Sequence, residues 1–188
     1  VNELLKSSPR KRKELITEIL STHSSTKERL PIYEKIYSKI FKITGKPEKI
    51  IDLGCGINPF SLSFMKLKKL KYYAYDISND EIDLLNKYFD LLHKQNSLFN
   101  GRAEVLDALH FSKLPKADIC FLFKMTDVLD RGKGHKTTEK VVEMLPVKWV
   151  VISFATKTMS GKKMTAPKRK WMEWMCNRLG YQYKVLSF

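Results

Sequence analysis

Lys49-Ile50-Ile51-Asp52-Leu53-Gly54-Cys55-Gly56-Ile57-Asn58-Pro59 joins an apolar run of strand length to a Gly-x-Gly turn and then to a proline suited to a helix start. Glycines without a Cβ let the backbone approach a ligand closely at such a turn. The same change from short apolar run to longer amphipathic segment recurs on the C-terminal side. Strands are expected at 49–53, 71–75, 103–106, 118–123, 149–154 and 181–188, and helices at about 59–68, 80–95, 137–145 and 167–179. Alternation of this kind predicts an α/β fold, a doubly wound and mainly parallel Rossmann-like sheet with helices on both faces. Ligands of open sheets bind beyond the carboxyl ends of the strands, where the glycine turn and the polar connections 124–136 and 155–166 fall.

Residues 1–46 read as a helical extension, and 47–188 as the sheet domain. Ser8-Pro9 has the form of an N-cap followed by proline, and Leu15, Ile16, Ile19 and Leu20 then share one helix face. Arg10, Lys11, Arg12 and Lys13 crowd the start of that helix, where the macrodipole disfavours cations. They are therefore read as phosphate contacts. Ser25-Thr26-Lys27-Glu28 fits a capping box for a second helix with the apolar stripe Leu30, Tyr33, Ile36, Tyr37, Ile40 and Phe41, closed by Gly45 and Pro47.

The 188 residues include 35 Lys and Arg against 20 Asp and Glu, a formal net charge of +15. Basic and acidic residues number 12 and 6 within 1–50, 15 and 13 within 51–156, and 8 and 1 within 157–188. A near-neutral centre between basic ends points to an anionic polymer as partner, with solvated Lys-rich helix faces as the plainer alternative. Apolar runs fall short of the roughly 20 residues of a membrane span, and no signal-peptide start is visible. A soluble, cytoplasmic monomer without membrane contact is expected. Cys55, Cys120 and Cys176 lack CxxC spacing, so neither a disulfide framework nor a metal site is expected, and His23 and His110 stand alone.

Asp76, 22 positions after Gly54, ends the second strand in Tyr75-Asp76-Ile77, a spacing that brings a carboxylate to a ribose diol. Ile57, Asn58 and Pro59 replace the third glycine of a dinucleotide fingerprint, which favours a nucleoside without phosphates. Asp52-x-Gly54-x-Gly56 with an acidic second-strand end is the usual pattern for S-adenosyl-L-methionine. Asp107, after the third strand, is either an acceptor for an adenine amino group or a turn residue. Lys124, after the fourth, is either functional or merely solvated. No Asn/Asp-Pro-Pro-aromatic motif follows the fourth strand, which argues against methylation of exocyclic amines. Cys120 lies between Ile119 and Phe121 inside a strand, which argues against thiolate attack on a pyrimidine.

Taken together, these stretches resemble the aminoglycoside-resistance rRNA methyltransferases of the Arm/Rmt/FmrO type, which modify guanine N7 in the decoding-site helix of 16S rRNA. His23-Ser24-Ser25-Thr26-Lys27-Glu28-Arg29 is similar to that family's His-Ser-Ser-Thr-x-Glu-Arg segment, and Asp52 to Pro59 resembles its cofactor loop with the unusual Asn-Pro. Tyr75-Asp76-Ile77, Leu122-Phe123-Lys124-Met125, Val151-Ile152-Ser153-Phe154 and Ser160-Gly161-Lys162 continue the likeness in order. The resemblance implies S-adenosyl-L-methionine as cofactor, 16S rRNA or the small ribosomal subunit as partner, and aminoglycoside resistance as role. It implies that Arg29 with Thr26 grips the methionine carboxylate, that Gly54 and Gly56 line the methionine moiety, and that Asp52, Cys55 and Asn58 complete the cofactor loop. Asp76 with Ile77 would take the ribose, Asp107 with Ala108 the adenine, and Lys124 would stand near the methyl-transfer centre. Lys157, Lys162, Lys163, Lys168, Arg169 and Lys170 would join Arg10 to Lys13 on RNA.

Guanine N7 has no proton to lose, so no general base is demanded of the sequence. Tyr72, Phe60 and Trp171 are the aromatics offered to stack on a flipped base. Family members carry a larger helical domain ahead of the Ser-Thr-x-Glu-Arg segment, and a further strand would be expected beyond Phe188. Two other functions fit the same residues: a ribosome-binding factor on this scaffold without activity, and a methyltransferase acting on another RNA or a small molecule.

Overall fold

The structure is a computed structural model that describes residues 2–132, 134–154 and 169–188. Five parallel strands, β1 (Lys49–Leu53), β2 (Leu70–Asp76), β3 (Phe99–Val105), β4 (Ala117–Phe123) and β5 (Val147–Ser153), stand in the order β3-β2-β1-β4-β5. The order reverses at β1, so the chain leaving Leu53 enters the crevice that such sheets use for ligands. Asp52 lies level with Ala74 of β2 and Phe121 of β4.

After Lys49, every residue of β1 is buried, Asp52 included, because both faces of the strand are covered. Side chains alternate across the sheet. Ile50, Tyr72 and Phe121 point into one core with Leu20, Tyr33, Tyr37 and Phe60, whereas Ile51, Leu53, Cys120 and Leu122 point into the other with Val141, Met175 and Cys176. The helices are α1 (Asn2–Lys6), α2 (Pro9–Thr22), α3 (Ser24–Arg29), α4 (Tyr33–Thr44), α5 (Asn79–Gln95), α6 (Thr126–Asp130), α7 (Lys136–Met144) and α8 (Lys170–Leu179). Helices α2 and α4 share the first core with the sheet, so the N-terminal segment is packed onto the strands. Ser8 caps α2 as its sequence predicts, accepting from the Lys11 amide with Pro9 in the first turn. No described helix is long and apolar enough to cross a membrane.

Several expectations need correction. The capping box does not form: α3 begins at Ser24, its N-cap is His23, and Ser25 and Glu28 lie inside the helix. The second helix is interrupted by a 3-10 turn, Leu30–Ile32, around Pro31, which has no amide to donate to the ladder. Residues 59–68 form no α-helix but a 3-10 stretch, Asn58–Met65, ended by Lys66 in the left-handed region. β3 starts four residues before its predicted start, passing through Gly101. A Cβ at Gly101 would lie 2.5 Å from Cγ of Phe89, so the glycine admits a core ring within the strand. Residues 181–188 form no strand. Leu186 packs on the first core, and Lys39 Nζ donates to the Ser187 carbonyl at 3.2 Å, which carries the tail to α4.

Candidate cofactor site

The site starts with the backbone after β1. Gly54 and Gly56 have φ of +67° and +46°. The amides of Gly54 and Cys55 donate to the Tyr75 carbonyl at 2.8 and 3.0 Å, and the Gly56 amide donates to Asp76 Oδ2 at 2.7 Å. Asp76 Oδ1 accepts from Ile77 and Ser78 at 2.7 and 3.2 Å. The spacing noted in the sequence is thus a physical link between the ends of β1 and β2. Met125, just past β4, crosses the same point: a Cβ on Gly54 would lie 2.1 Å from its Sδ. Ile77 is 72% exposed beside Asp76, an apolar flank next to a carboxylate.

Arg29 supplies the charge. Its side chain reaches inward from the end of α3, only 8% exposed, with the guanidinium carbon 4.9 Å from the centre of the Phe123 ring. Nε donates to Tyr33 Oη at 3.3 Å and Nη2 to Asn58 Oδ1 at 3.4 Å, while Nη1 is buried with no hydrogen-bond partner. Among the described residues no carboxylate forms an ion pair with this cation. The Tyr33 hydroxyl donates to Asn58 Oδ1 at 3.0 Å, and Asn58 Nδ2 and the Tyr72 hydroxyl donate to Asp52 Oδ2 at 2.8 and 2.6 Å. Burial pushes the Asp52 carboxyl up to about 6 against the opposing pull of those two donors and of Arg29. Burial likewise raises Tyr33. A buried cation with an unused donor is costly unless an anion joins it. The carboxylate of an amino acid or of S-adenosyl-L-methionine suits that position in charge and in its acceptor oxygens.

The other sequence-predicted residues make hydrogen bonds within the fold. Thr26 is buried, and its hydroxyl donates to the Leu20 carbonyl at 2.5 Å with the His23 carbonyl at 3.1 Å, so it pins the α2–α3 corner. Lys124, at φ +58°, donates its amide to Ser153 and its Nζ to Glu28 Oε2. Asp107 follows the end of β3 as a turn residue, accepting from the Leu109 amide at 2.8 Å and meeting His110 Nδ1 at 2.7 Å, contacts that lower its carboxyl. Ala108 beside it is buried. Burial pushes the Cys55 thiol well up, so it is no thiolate. The structure gives a part in the site to residues that the sequence placed elsewhere or not at all: Tyr33, Tyr72, Met125, and the pair His23 Nε2 and Glu81 Oε1 at 3.4 Å. Tyr33 opens α4 four positions after Arg29 ends α3, and the 3-10 turn between them brings its hydroxyl to Nε, a contact hidden in the sequence by its membership of the apolar stripe.

Among the basic residues, Arg10 is 92% exposed and paired with Glu14, and Lys11, Lys13 and Lys170 are exposed. Arg12 is half-buried and donates to the carbonyls of Leu4 and Ser7 at 3.2 and 3.1 Å, closing the end of α1. Arg169 sits over the Phe154 ring at 5.3 Å. Lys157, Lys162, Lys163 and Lys168 lie outside the described residues. Tyr72 and Phe60 have no exposed surface and cannot stack on a base, and one face of Trp171 is covered by His135 at 3.8 Å. Trp174, 68% exposed, is the open aromatic of α8.

A parallel five-stranded sheet that reverses its order at a Gly-x-Gly turn, with an acid at the end of the next strand, defines the class I S-adenosylmethionine methyltransferase fold. The chain belongs to the FmrO family of ribosomal RNA methyltransferases, whose profile matches residues 3–186. A 16S rRNA (guanine(1405)-N(7))-methyltransferase of Proteus mirabilis is 27% identical over 177 residues, covering 93% of this chain and 61% of the relative. The structure of the 16S rRNA methylase ArmA matches with a TM-score of 0.67 at 27% identity, over 94% of this chain and 86% of that one. The 16S rRNA methyltransferase RmtF in complex with S-adenosyl-L-homocysteine matches with a TM-score of 0.69 at 25% identity, over 87% and 59%. The chain spans 49% to 61% of the length of the first curated relatives it matches.

Proposed function

We propose that this chain is an S-adenosyl-L-methionine-dependent methyltransferase acting on guanine N7 of 16S rRNA, as a cytoplasmic monomer whose role is aminoglycoside resistance. The observation that carries the cofactor assignment is the buried Arg29 guanidinium, with one donor open, held by Asn58 two residues past the glycine turn. The names of its relatives support the nucleotide class, and the exposed Arg10, Lys11, Lys13 and Lys170 support an RNA partner.

S-adenosyl-L-methionine supplies an electrophilic methyl group on a sulfonium. Everything else falls to the chain. Arg29 binds the carboxylate, Asp76 offers carboxylate oxygens to the ribose hydroxyls, and Ile77 covers the adenine flank. Met125 lies against Gly54 at the point where the ends of β1 and β4 meet, and the Lys124–Glu28 pair ties β4 to α3 beside Arg29. Because N7 attacks with a free lone pair, the residues have only to position and to exclude water.

Calorimetric titration with S-adenosyl-L-homocysteine tests this reading. The wild-type chain should bind and Arg29→Ala should lose about tenfold or more in affinity, the worth of a charged hydrogen bond. Absence of binding by the wild type would overturn the assignment.

A further inference from the structure

Arg29 is held by two oxygens, and neither is charged. We propose that Asn58, Tyr33 and Asp52 are positioning residues that fix Arg29 through neutral acceptors, leaving its guanidinium without a direct carboxylate partner and open to the carboxylate of an amino-acid-bearing nucleoside. This rests on the cofactor reading above and adds to it a reason for the unusual Asn58-Pro59.

Asp52 feels the Arg29 charge but makes no direct bond to it, because Asn58 bonds to both. Asn58 Nδ2 donates to Asp52 Oδ2 at 2.8 Å, and Asn58 Oδ1 faces Arg29 Nη2 at 3.4 Å. The amide has one workable orientation. Turned over, it would set its NH2 against a guanidinium and its carbonyl against a carboxylate. Asp52 therefore dictates which atom Arg29 meets. Tyr33 has a single hydroxyl proton, spent on Asn58 Oδ1 at 3.0 Å, so a lone pair is left for Arg29 Nε at 3.3 Å. The Tyr72 hydroxyl donates to the same Asp52 oxygen at 2.6 Å. The directions of these hydrogen bonds are set from neighbour to neighbour, and among the described residues Arg29 Nη1 is the buried side-chain polar atom left without a partner. A direct Asp–Arg pair would satisfy the cation with a stronger, charge-assisted bond and present an incoming carboxylate with a neutral couple. Pro59 restricts the backbone of Asn58, whose carbonyl accepts from Ser61 Oγ at 2.7 Å, so the relay residue is fixed from both sides.

The test compares two ligands, S-adenosyl-L-homocysteine and its decarboxylated analogue S-adenosyl-3-thiopropylamine, by calorimetry on the wild type, Asn58→Asp and Tyr33→Phe. Asn58→Asp sets a carboxyl oxygen directly on Arg29 while its other oxygen shares a proton with Asp52, so the guanidinium gains a direct charged partner; Tyr33→Phe removes one acceptor and keeps the ring, which protects the fold. The wild type should prefer S-adenosyl-L-homocysteine. Each variant should lose about tenfold of that affinity while binding the analogue as the wild type does. Equal loss for both ligands, or no loss in Tyr33→Phe, would overturn the proposal. So would a wild type that binds both ligands equally, a result that leaves the cofactor reading standing. A wild type that binds neither ligand removes that reading first.

Discussion

The carboxylate of Asp76 accepts the backbone amide of Gly56 at 2.7 Å, so the acidic end of β2 and the glycine turn after β1 form one unit. The same carboxylate accepts from the amides of Ile77 and Ser78, which makes it both a turn anchor and the candidate ribose acceptor. Asp76→Ala should weaken S-adenosyl-L-homocysteine by roughly 1.5–3 kcal/mol and also lower the thermal midpoint. Calorimetry and melting on the same variant read the two effects separately. An unchanged Kd would remove Asp76 from the site.

Asp52 carries a pH signature. Its folded carboxyl lies at about 6 against an ordinary value of 3.8, so between these values the native state holds the proton that the unfolded chain has lost. Its contribution to stability is therefore full below about 4 and is lost as pH rises through 6, a cost of about 2–3 kcal/mol at neutral pH. Asp52→Asn keeps the shape and an acceptor for Asn58 and Tyr72. It should be more stable than the wild type at about pH 7.5, and the gap should close near pH 4 in denaturant titrations. A gap of the same size at both values would contradict the burial argument.

Gly54 sits at φ +67° beneath Met125. Gly54→Ala should cost about 1–2 kcal/mol from the left-handed backbone alone, with a further penalty from the clash with the methionine. Adding Met125→Ala should relieve only the clash. Full recovery in the double variant would show that the backbone strain is absent.

The basic cluster at the start of α2 divides by geometry. Neutralising Arg10, Lys11 and Lys13, all exposed, should weaken RNA binding and flatten its salt dependence by roughly 0.9 for each phosphate no longer neutralised, with little change in stability. Arg12→Ala should instead lower stability, because its guanidinium satisfies the carbonyls of Leu4 in α1 and of Ser7 just past it. Filter binding across a salt series, paired with melting curves, separates the two sets.

Much of this was legible in the chain because it depends on local pattern. The apolar run before Gly54, the distance to Asp76 and the Ser8-Pro9 cap each carry their own geometry, and each stands where the pattern places it. What is not legible depends on partners far away in sequence. Glu28 looks like the closing residue of a capping box, but in the fold it meets Lys124, and Pro31 breaks the helix that the box would start. The start of β3 at Phe99 lies outside the predicted strand, because the Phe89 ring that Gly101 admits is brought there only by packing. Tyr33 and Tyr72 count as apolar in a periodicity argument, so the hydroxyls that orient Asn58 and Asp52 are invisible to it. Residues 181–188 alternate like a strand, yet the tail is carried to Lys39 instead of pairing with β5.

The most direct measurement is mass mapping of 16S rRNA from small ribosomal subunits incubated with this chain and methyl-labelled S-adenosyl-L-methionine. A single labelled guanine carrying the methyl on N7, absent with Arg29→Ala, is the expected result. Subunits that bind the chain but acquire no label would contradict the methyltransferase assignment and establish a binding factor on the same scaffold.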